Sequence, residues 1–227
     1  MVNSTTTFAS WVHDCLHPDE VHYASQLSSD QSQVSFLGGR LALRLAMGCR
    51  MHDCILLKDR FGRPQLPANT LGSISHKGNV AVALVADAPT DGGRHAIGVD
   101  LEYKCARRRN VARRILTSGE QLALGQLASV NADEEVLLRF SAKEAIYKAM
   151  HPLICQYVGF LQAETQPLDD GTLEVELNLP SGAHKGFESV SAHWRVVNDD
   201  FFLTSAEVHL LPGVVPRTYE TPEECVM

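Results

Sequence analysis

The chain has 227 residues, of which 44% are hydrophobic and 21% charged, a composition typical of globular proteins with one sizeable core or two compact halves. Its formal net charge of −7 argues against a nucleic-acid partner, because such binding depends on cationic groups that neutralise phosphates. The six cysteines form no C-x-x-C pair, the N-terminus lacks a basic targeting region, and no apolar run approaches about 20 residues. We therefore expect a cytoplasmic protein with no membrane-spanning segment.

The first strong element is a predicted amphipathic helix over residues 35–47. Its apolar residues recur at helical spacing, and Arg40 and Arg44 fall one turn apart on the same face. From the residues alone, this arginine pair is a solvated basic edge of the helix.

A turn and a strand follow this helix. Residues 61–67 contain one glycine and two prolines, which predicts a turn where Arg63 is an ordinary surface residue. Ser75 and His76 then precede a β-rich run at 80–86. A single histidine in such a place is most often structural.

A Pro- and Gly-containing segment at 88–94 is the best domain boundary in the sequence. It divides the chain into an N-terminal half, residues 1–93, and a C-terminal half, residues 94–227. Both lengths are normal for a domain, and the two halves show no detectable sequence repeat.

The C-terminal half opens with a predicted strand at 97–102. Because alternate residues of a strand face the same side, Asp100 and Glu102 share one face and Leu101 lies on the other. Two carboxylates at this spacing are suitable hard oxygen ligands for Mg²⁺.

A basic stretch comes next, with five arginines between Arg107 and Arg114. It opens a short predicted helix, and Thr117 and Glu120 form a capping box for another helix through residue 127. A charge run of this kind is usually only a solvated face.

The segment 140–149 lacks proline and glycine and is rich in Ala, Glu and Lys, which predicts a helix. Glu144 and Lys148 lie one turn apart on one face of that helix. A Glu–Lys pair alone is typically a surface ion pair. With Asp100 and Glu102, however, Glu144 supplies a third carboxylate for the predicted Mg²⁺ site. We expect regular structure to end at residues 151–153 and strands to follow at 173–179, 191–197 and 201–211.

Two of these segments together resemble the paired motifs of the 4′-phosphopantetheinyl transferases. They are Gly98-Val99-Asp100-Leu101-Glu102 and Phe140-Ser141-Ala142-Lys143-Glu144-Ala145-Ile146-Tyr147-Lys148. Each motif alone is weak, but the pair in this order and at this separation is specific. The resemblance implies an α+β (α/β) fold made of two similar α/β halves in one chain, a pseudo-dimeric arrangement with the active site between the halves.

The resemblance also implies a reaction. An enzyme of this family transfers 4′-phosphopantetheine from coenzyme A to a serine of an apo acyl, peptidyl or polyketide carrier protein and releases adenosine 3′,5′-bisphosphate. Mg²⁺ would be held by Asp100, Glu102 and Glu144, and Lys148 would act on the leaving group. The base is either Glu144 or a metal-bound water, and the sequence does not decide between them.

Further residues match positions that contact coenzyme A in the family. Arg40, Arg44 and Arg63 are expected near its phosphates. The Ser75-His76 pair is expected to line the same phosphates.

The remaining assignments concern Lys143 and the carrier protein. Lys143 adjoins the site but projects about 100° away from Glu144 on a helix, which gives it a phosphate-binding or packing role. The Arg107–Arg114 region is expected to dock the acidic carrier protein on an enzyme that we expect to be a monomer. Two other classes stay open from the residues: another Mg²⁺-dependent phosphoanhydride hydrolase, or a non-catalytic module that binds coenzyme A or a carrier.

Overall fold

The structure is a computed structural model that describes residues 10–49, 54–90, 94–105 and 111–216, apart from the side chains of Ser10, Trp11 and His13. The chain divides into two compact units, Met1–Asp87 and Ala88–Met227. The division falls at the first residue of the predicted linker.

The described residues of the first unit form three α-helices and a β-hairpin. The elements are α1 (Ser10–Cys15), α2 (Pro18–Ser25), α3 (Asp30–Met47), β1 (Thr70–Lys77) and β2 (Val80–Asp87). Helix α3 packs on both strands of the antiparallel hairpin. It begins five residues before the predicted start, because the Ser29 side chain caps the helix by accepting from the Ser32 amide.

In the part of the second unit that the structure describes, there are three α-helices and a five-stranded sheet. Its elements are β3 (His95–Tyr103), α4 (Ala112–Ile115), α5 (Ser118–Leu122), α6 (Ala132–Ile154), β4 (Ala163–Pro167), β5 (Thr172–Leu177), β6 (Phe187–Val197) and β7 (Phe201–Leu210). The strand order is β3-β7-β6-β5-β4, every neighbouring pair is antiparallel, and β3 and β4 lie at the edges.

The core of the second unit lies between α6 and one face of this sheet. Helix α6 packs mainly on β3 and β7, where Ile146 and Ala149 of the helix and Phe202 and Val208 of β7 have no exposed surface. Each unit thus contains a long helix packed on an antiparallel sheet. The α+β fold class with two halves is confirmed.

Element boundaries differ from the sequence expectations where capping residues control them. Helix α6 begins at Ala132, where Asn131 forms a capping box with Glu134. It continues through Pro152 to Ile154, one residue past the segment 151–153 that was predicted to end it. A proline in the last helical turn removes only one hydrogen bond, and Cys155 ends the helix with a left-handed φ of 48°.

The short helix α5 ends before its predicted end at residue 127. The capping box of Thr117 and Glu120 is confirmed, but α5 stops at Leu122, shortly before Gly125 adopts a φ of 84°. Residues 107–109 of the basic stretch lie outside the described residues. No helix in the described ranges has the length and apolar character needed to cross a membrane.

Candidate active site

A glycine allows α6 to lie directly on β3. A Cβ atom built at Gly98 would lie 1.9 Å from the carbonyl oxygen of Ala145 and 2.7 Å from the amide nitrogen of Ala149. Real Cβ atoms do not make such contacts, so any side chain at this position would force the two backbones apart. The sequence motif has its glycine here because strand and helix backbones meet at this point.

This crossing positions the charged residues of the two motifs. Asp100 follows Gly98 by two residues and therefore shares its face of β3. Glu144 and Lys148 each precede one of the two alanines that contact Gly98. The close approach of the two backbones thus brings Glu144 and Lys148 of α6 beside Asp100 of β3.

Asp100 is buried and held by two side chains of α6. Its Oδ1 accepts a hydrogen bond from Lys148 Nζ at 2.8 Å, and its Oδ2 accepts one from Ser141 Oγ at 2.8 Å. Ser141 Oγ also lies 2.9 Å from Thr204 Oγ1 on β7, and Lys148 Nζ donates to the Val99 carbonyl oxygen at 3.0 Å. These bonds fix the carboxylate and direct the half-buried ammonium group onto it.

Glu144 lies in an environment that disfavours its charge. Burial raises the pKa of its carboxyl above the usual value, the negative charge of Asp100 raises it further, and the Lys148 ammonium opposes both effects. The carboxyl borders a cavity of about 260 Å³ with a mainly apolar and aromatic wall. The lining residues are Lys143, Glu144, Tyr147, Met150, Tyr157, Val158, Gly159, Phe160 and Ala163.

The carboxylates have the chemistry of a magnesium site without forming a closed cage. Glu102 is 4% exposed and accepts a hydrogen bond from the Tyr103 amide at 2.9 Å. The effect of Asp100 on the pKa of Glu144 shows an excess of negative charge that a cation would relieve. Because Mg²⁺ commonly takes one or two carboxylates and completes its shell with water and phosphate oxygens, Asp100 and Glu144 fit this ion. Among the described residues, the group of three that gathers its ligand atoms within 4.8 Å is a different one, His95, Glu207 and His209.

The side chain of Lys143 is buried in the interior of the second unit. Its Nζ donates to Glu120 Oε2 at 2.5 Å and to the carbonyl oxygens of Ile115 and Phe160 at 2.8 and 2.9 Å. Burial lowers the pKa of this ammonium, and the Glu120 carboxylate opposes that effect. With its side chain 2% exposed and its ammonium bound to these three oxygens, Lys143 has the contacts of a packing residue. A phosphate-binding role for it stays a prediction.

Glu120 is a buried residue whose importance the sequence did not reveal. Besides capping α5 through the Thr117 amide, it accepts from Lys143 and from both the amide and the hydroxyl of Thr165. Arg139 adds a second charged layer, since it pairs with Glu135 at 2.7 Å and donates to the Thr165 carbonyl oxygen. The capping-box pattern predicted Glu120 at a helix start, but no local pattern shows that its carboxylate is buried.

Arg40 and Arg44 are also buried, whereas the sequence pattern predicted a solvated basic edge. Their contact with coenzyme A stays a prediction. Arg40 donates to the carbonyl oxygens of Leu56 and Leu57 at 2.7 and 2.9 Å, and burial lowers its pKa to about 10 although Glu20 opposes this. Arg44 pairs with Glu20 at 2.6 Å. Both arginines are 3% exposed, so the described geometry gives them a structural role in the first unit.

The other three residues assigned to coenzyme A lie nearer the surface of the first unit or on β1. Arg63 is partly exposed and pairs with Asp59 at 2.7 Å within the predicted turn. Ser75 is buried on β1, whereas the adjacent His76 is exposed. Of the basic residues predicted to bind phosphate in this unit, His76 and Arg63 retain accessible surface.

The comparisons with known proteins agree with the two sequence motifs. A family model described as the 4′-phosphopantetheinyl transferase N-terminal domain matches residues 22–86. A model of the 4′-phosphopantetheinyl transferase superfamily matches residues 96–205. The two matches fall on either side of the division between the units.

Individual relatives support the same family. The 4′-phosphopantetheinyl transferase Svp of Streptomyces mobaraensis is 34% identical over 73% of this chain and 67% of its own. The enterobactin synthase component D of Escherichia coli is 28% identical over 77% of this chain and 78% of its own. The 4′-phosphopantetheinyl transferase Npt of Nocardia iowensis is 28% identical over 83% of this chain and 87% of its own.

Among solved structures, a holo-(acyl-carrier-protein) synthase of Bacillus anthracis is 24% identical, with a TM-score of 0.39, over 51% of this chain and 96% of its own. That structural likeness is too low to carry an argument. The sequence matches place the chain in the 4′-phosphopantetheinyl transferase superfamily. The protein is an enzyme, a transferase of the 4′-phosphopantetheinyl group.

Proposed function

We propose that the enzyme transfers 4′-phosphopantetheine from coenzyme A to a serine hydroxyl of an apo carrier protein and releases adenosine 3′,5′-bisphosphate. The serine oxygen bonds to the phosphorus that carries pantetheine, and the phosphoanhydride bond to the nucleotide breaks. The observation that carries this proposal is the grouping of Asp100, Glu144 and Lys148 at the crossing of β3 and α6.

The proposed site would hold Mg²⁺ through Asp100 and Glu144, with Glu102 on the same face of β3 as a further ligand. Bound there, the ion would offset the negative charge of the pyrophosphate that the reaction divides. The predicted three-carboxylate set is therefore retained as a proposal with Asp100 and Glu144 as its main members.

Glu144 is the proposed base that receives the serine proton. A raised pKa favours this role, because a more basic carboxylate is a better proton acceptor. The apolar wall beside it limits access of bulk water, which preserves that property.

Lys148 is the proposed partner of the leaving nucleotide. Its half-buried ammonium is held by Asp100 and the Val99 carbonyl oxygen, so it is already ordered beside the carboxylates. A positioned ammonium stabilises the negative charge that develops on the leaving phosphate.

A single assay tests the reaction. The enzyme is incubated with Mg²⁺, coenzyme A and an apo carrier protein, and the carrier is weighed by mass spectrometry. We expect a gain of one phosphopantetheine group. Cleavage of coenzyme A without a change in the carrier mass would show a hydrolase, and binding without cleavage would show a non-catalytic module.

Two variants connect the assay to the site. Asp100→Asn should reduce transfer by about a hundredfold or more at saturating Mg²⁺, since it removes a charged ligand from a site that acts as a unit. Lys148→Met should lower turnover strongly while coenzyme A affinity changes little. Turnover above a tenth of that of the unaltered enzyme in Asp100→Asn would contradict the metal assignment.

A further inference from the structure

Two histidines and a glutamate converge at the start of β3, away from the proposed active site. His95 Nε2 lies 3.4 Å from Glu207 Oε1, and His209 Nε2 lies 3.0 Å from the same oxygen. The two imidazole rings are stacked, with centroids 4.9 Å apart and planes inclined by 16°. The ligand atoms of all three residues lie within 4.8 Å of one another.

The strand register creates this convergence. His95 of β3 is paired directly with His209 of β7, which places their Cβ atoms about 5 Å apart on one face of the sheet. Glu207 precedes His209 by two residues and so projects from the same face. The three side chains thus come from two hydrogen-bonded strands and have a fixed spacing.

The distances suit a tetrahedral metal ion. A tetrahedral zinc ion with bonds of about 2.0–2.1 Å separates its ligand atoms by roughly 3.3 Å. The separations of 3.0 and 3.4 Å between the glutamate oxygen and the imidazole nitrogens are close to that value. The third pair of ligand atoms lies within 4.8 Å, so side-chain rotation would bring the imidazole nitrogens onto a bound metal.

The location separates this group from the carboxylates of the proposed active site. Ser141 of α6 contacts Asp100 on β3 and Thr204 on β7, which identifies the even-numbered face of both strands as the one that faces α6. His95, Glu207 and His209 are odd-numbered and therefore project from the opposite face. His95 also lies five residues from Asp100 along the strand, roughly 17 Å away.

We propose that His95, Glu207 and His209 form a site for a zinc-class divalent transition-metal ion, with a fourth position open to water. Imidazole nitrogen with a single carboxylate is a ligand set that favours zinc over Mg²⁺, which prefers oxygen ligands. The bound ion would join the edge strand β3 to β7 at the end opposite Glu102. It would thereby stabilise the strand that carries Asp100 without taking part in the transfer.

Zinc titration of the full-length protein tests this site. Binding of ZnCl₂ is measured by competition with a chromophoric chelator, in the presence of excess Mg²⁺ and a non-chelating reductant. We expect one tightly bound zinc ion per chain. The His95→Ala/His209→Ala double variant should bind it about a hundredfold more weakly or worse, because even loss of a residue that only supports a ligand costs 10- to 100-fold.

Matched variants separate this site from other zinc ligands. His193→Ala removes an exposed histidine of the neighbouring strand β6 and should leave zinc affinity unchanged. Cys49→Ser/Cys54→Ser removes a thiol pair whose sulfur atoms lie 3.8 Å apart, and it too should leave affinity unchanged. Circular dichroism and Mg²⁺-dependent transfer check that each variant is folded.

Each result of the zinc titration either supports or overturns the proposed metal site. Loss of tight zinc binding in the double histidine variant and in Glu207→Gln, with retention in both controls, supports the proposal. Absence of tight binding by the unaltered protein, retention in the double histidine variant, or loss in the cysteine variant would overturn it. Since none of these variants alters the proposed catalytic residues, failure of the zinc site leaves the proposed function untouched.

Discussion

At Glu144, burial of the carboxyl and the nearby charge of Asp100 raise the pKa, so the folded protein binds a proton there more tightly than the unfolded chain does. The stabilisation from this proton is fully present below the pKa of the unfolded chain. It is lost as the pH rises through the raised folded pKa. Above the raised folded pKa, the ionised Glu144 therefore weakens the fold.

The difference between the folded and unfolded pKa of Glu144 predicts how Glu144→Gln changes activity and thermal stability. The variant should lose transfer activity and yet show a higher thermal midpoint than the unaltered protein at pH 8, because a buried charge has been removed. The gain should disappear near pH 4, where the carboxyl is protonated. Thermal unfolding at both pH values measures the effect, with the exposed Glu176→Gln as the control. A lower midpoint at pH 8 would mean that Glu144 is stabilised by partners rather than strained by burial.

Arg44 is buried beside Glu20, although the sequence pattern predicted a solvated basic residue. Replacement with alanine leaves the fully buried Glu20 without its ion-pair partner. We expect the free energy of unfolding to fall by about 3–5 kcal/mol. In variant protein that remains folded, affinities for coenzyme A and 3′-dephospho-coenzyme A should change equally. Calorimetry with both ligands measures this, and a selective loss for coenzyme A would support the phosphate assignment.

His76 gives the contrasting prediction, because it is exposed on β1. If it contacts the 3′-phosphate, His76→Ala should weaken coenzyme A about ten- to a hundredfold, the value of one charge-assisted hydrogen bond. Binding of 3′-dephospho-coenzyme A should change little, and the thermal midpoint should be preserved. Equal losses for the two ligands would exclude this contact.

At the scale of elements, the crossing of β3 and α6 depends on Gly98. Gly98→Ala places a methyl group 1.9 Å from the Ala145 carbonyl oxygen, so the helix must move away from the strand. We expect a loss of about 3 kcal/mol or more in unfolding free energy and a near-complete loss of transfer. Chemical denaturation and the carrier-mass assay provide the measurements.

Gly38→Ala is a matched control for this substitution. Gly38 lies inside α3, and a Cβ there would meet the Ala81 Cβ at 3.4 Å, an ordinary contact. Alanine is also the better helix former, so this variant should be stabilised by about 0.5–1 kcal/mol. If both glycine variants were destabilised alike, the close approach at Gly98 would not explain the effect.

The same elements show how far the sequence could be interpreted. Alternation along 97–102 and helical spacing along 140–149 predicted β3 and the centre of α6, because these patterns are local. The extension of α6 depended on Asn131, a polar residue that resembles a loop residue until its capping bonds form. The crossing at Gly98 is a tertiary contact, which no spacing within either segment encodes.

At the scale of the whole molecule, buried charges were the hardest features to predict. Arg40, Arg44 and Lys143 have the sequence pattern of exposed basic residues, yet each is 3% exposed. Their burial depends on partners far along the chain, such as Glu20 for Arg44 and Glu120 for Lys143. A single sequence includes these partner residues but does not show which of them form ion pairs in the fold.

Arg113 and Arg114 are positively charged residues on a chain that is acidic as a whole. Both are exposed at the end of the basic stretch, while the net charge is −7. If this region docks an acidic carrier, Arg113→Glu/Arg114→Glu should lower kcat/KM for the carrier about tenfold at low salt. The effect should shrink at high salt, where charges are screened within a few ångströms. Steady-state rates across salt concentrations measure it.

The exposed Arg195 of β6 is the control for that charge reversal. Arg195→Glu changes the net charge by the same amount per residue but lies outside the basic stretch. If it reduced carrier turnover as strongly as the paired variant does, general repulsion rather than docking would be responsible.

The direct backbone contact at Gly98 affects how activity should change on heating. Because no side chain lies between strand and helix there, β3 and α6 cannot slide past one another without breaking the core that Ile146 and Ala149 help to form. Asp100, Glu144 and Lys148 therefore acquire their spacing during folding rather than when substrate arrives. On heating, activity should persist until the second unit melts and then vanish over the same few degrees.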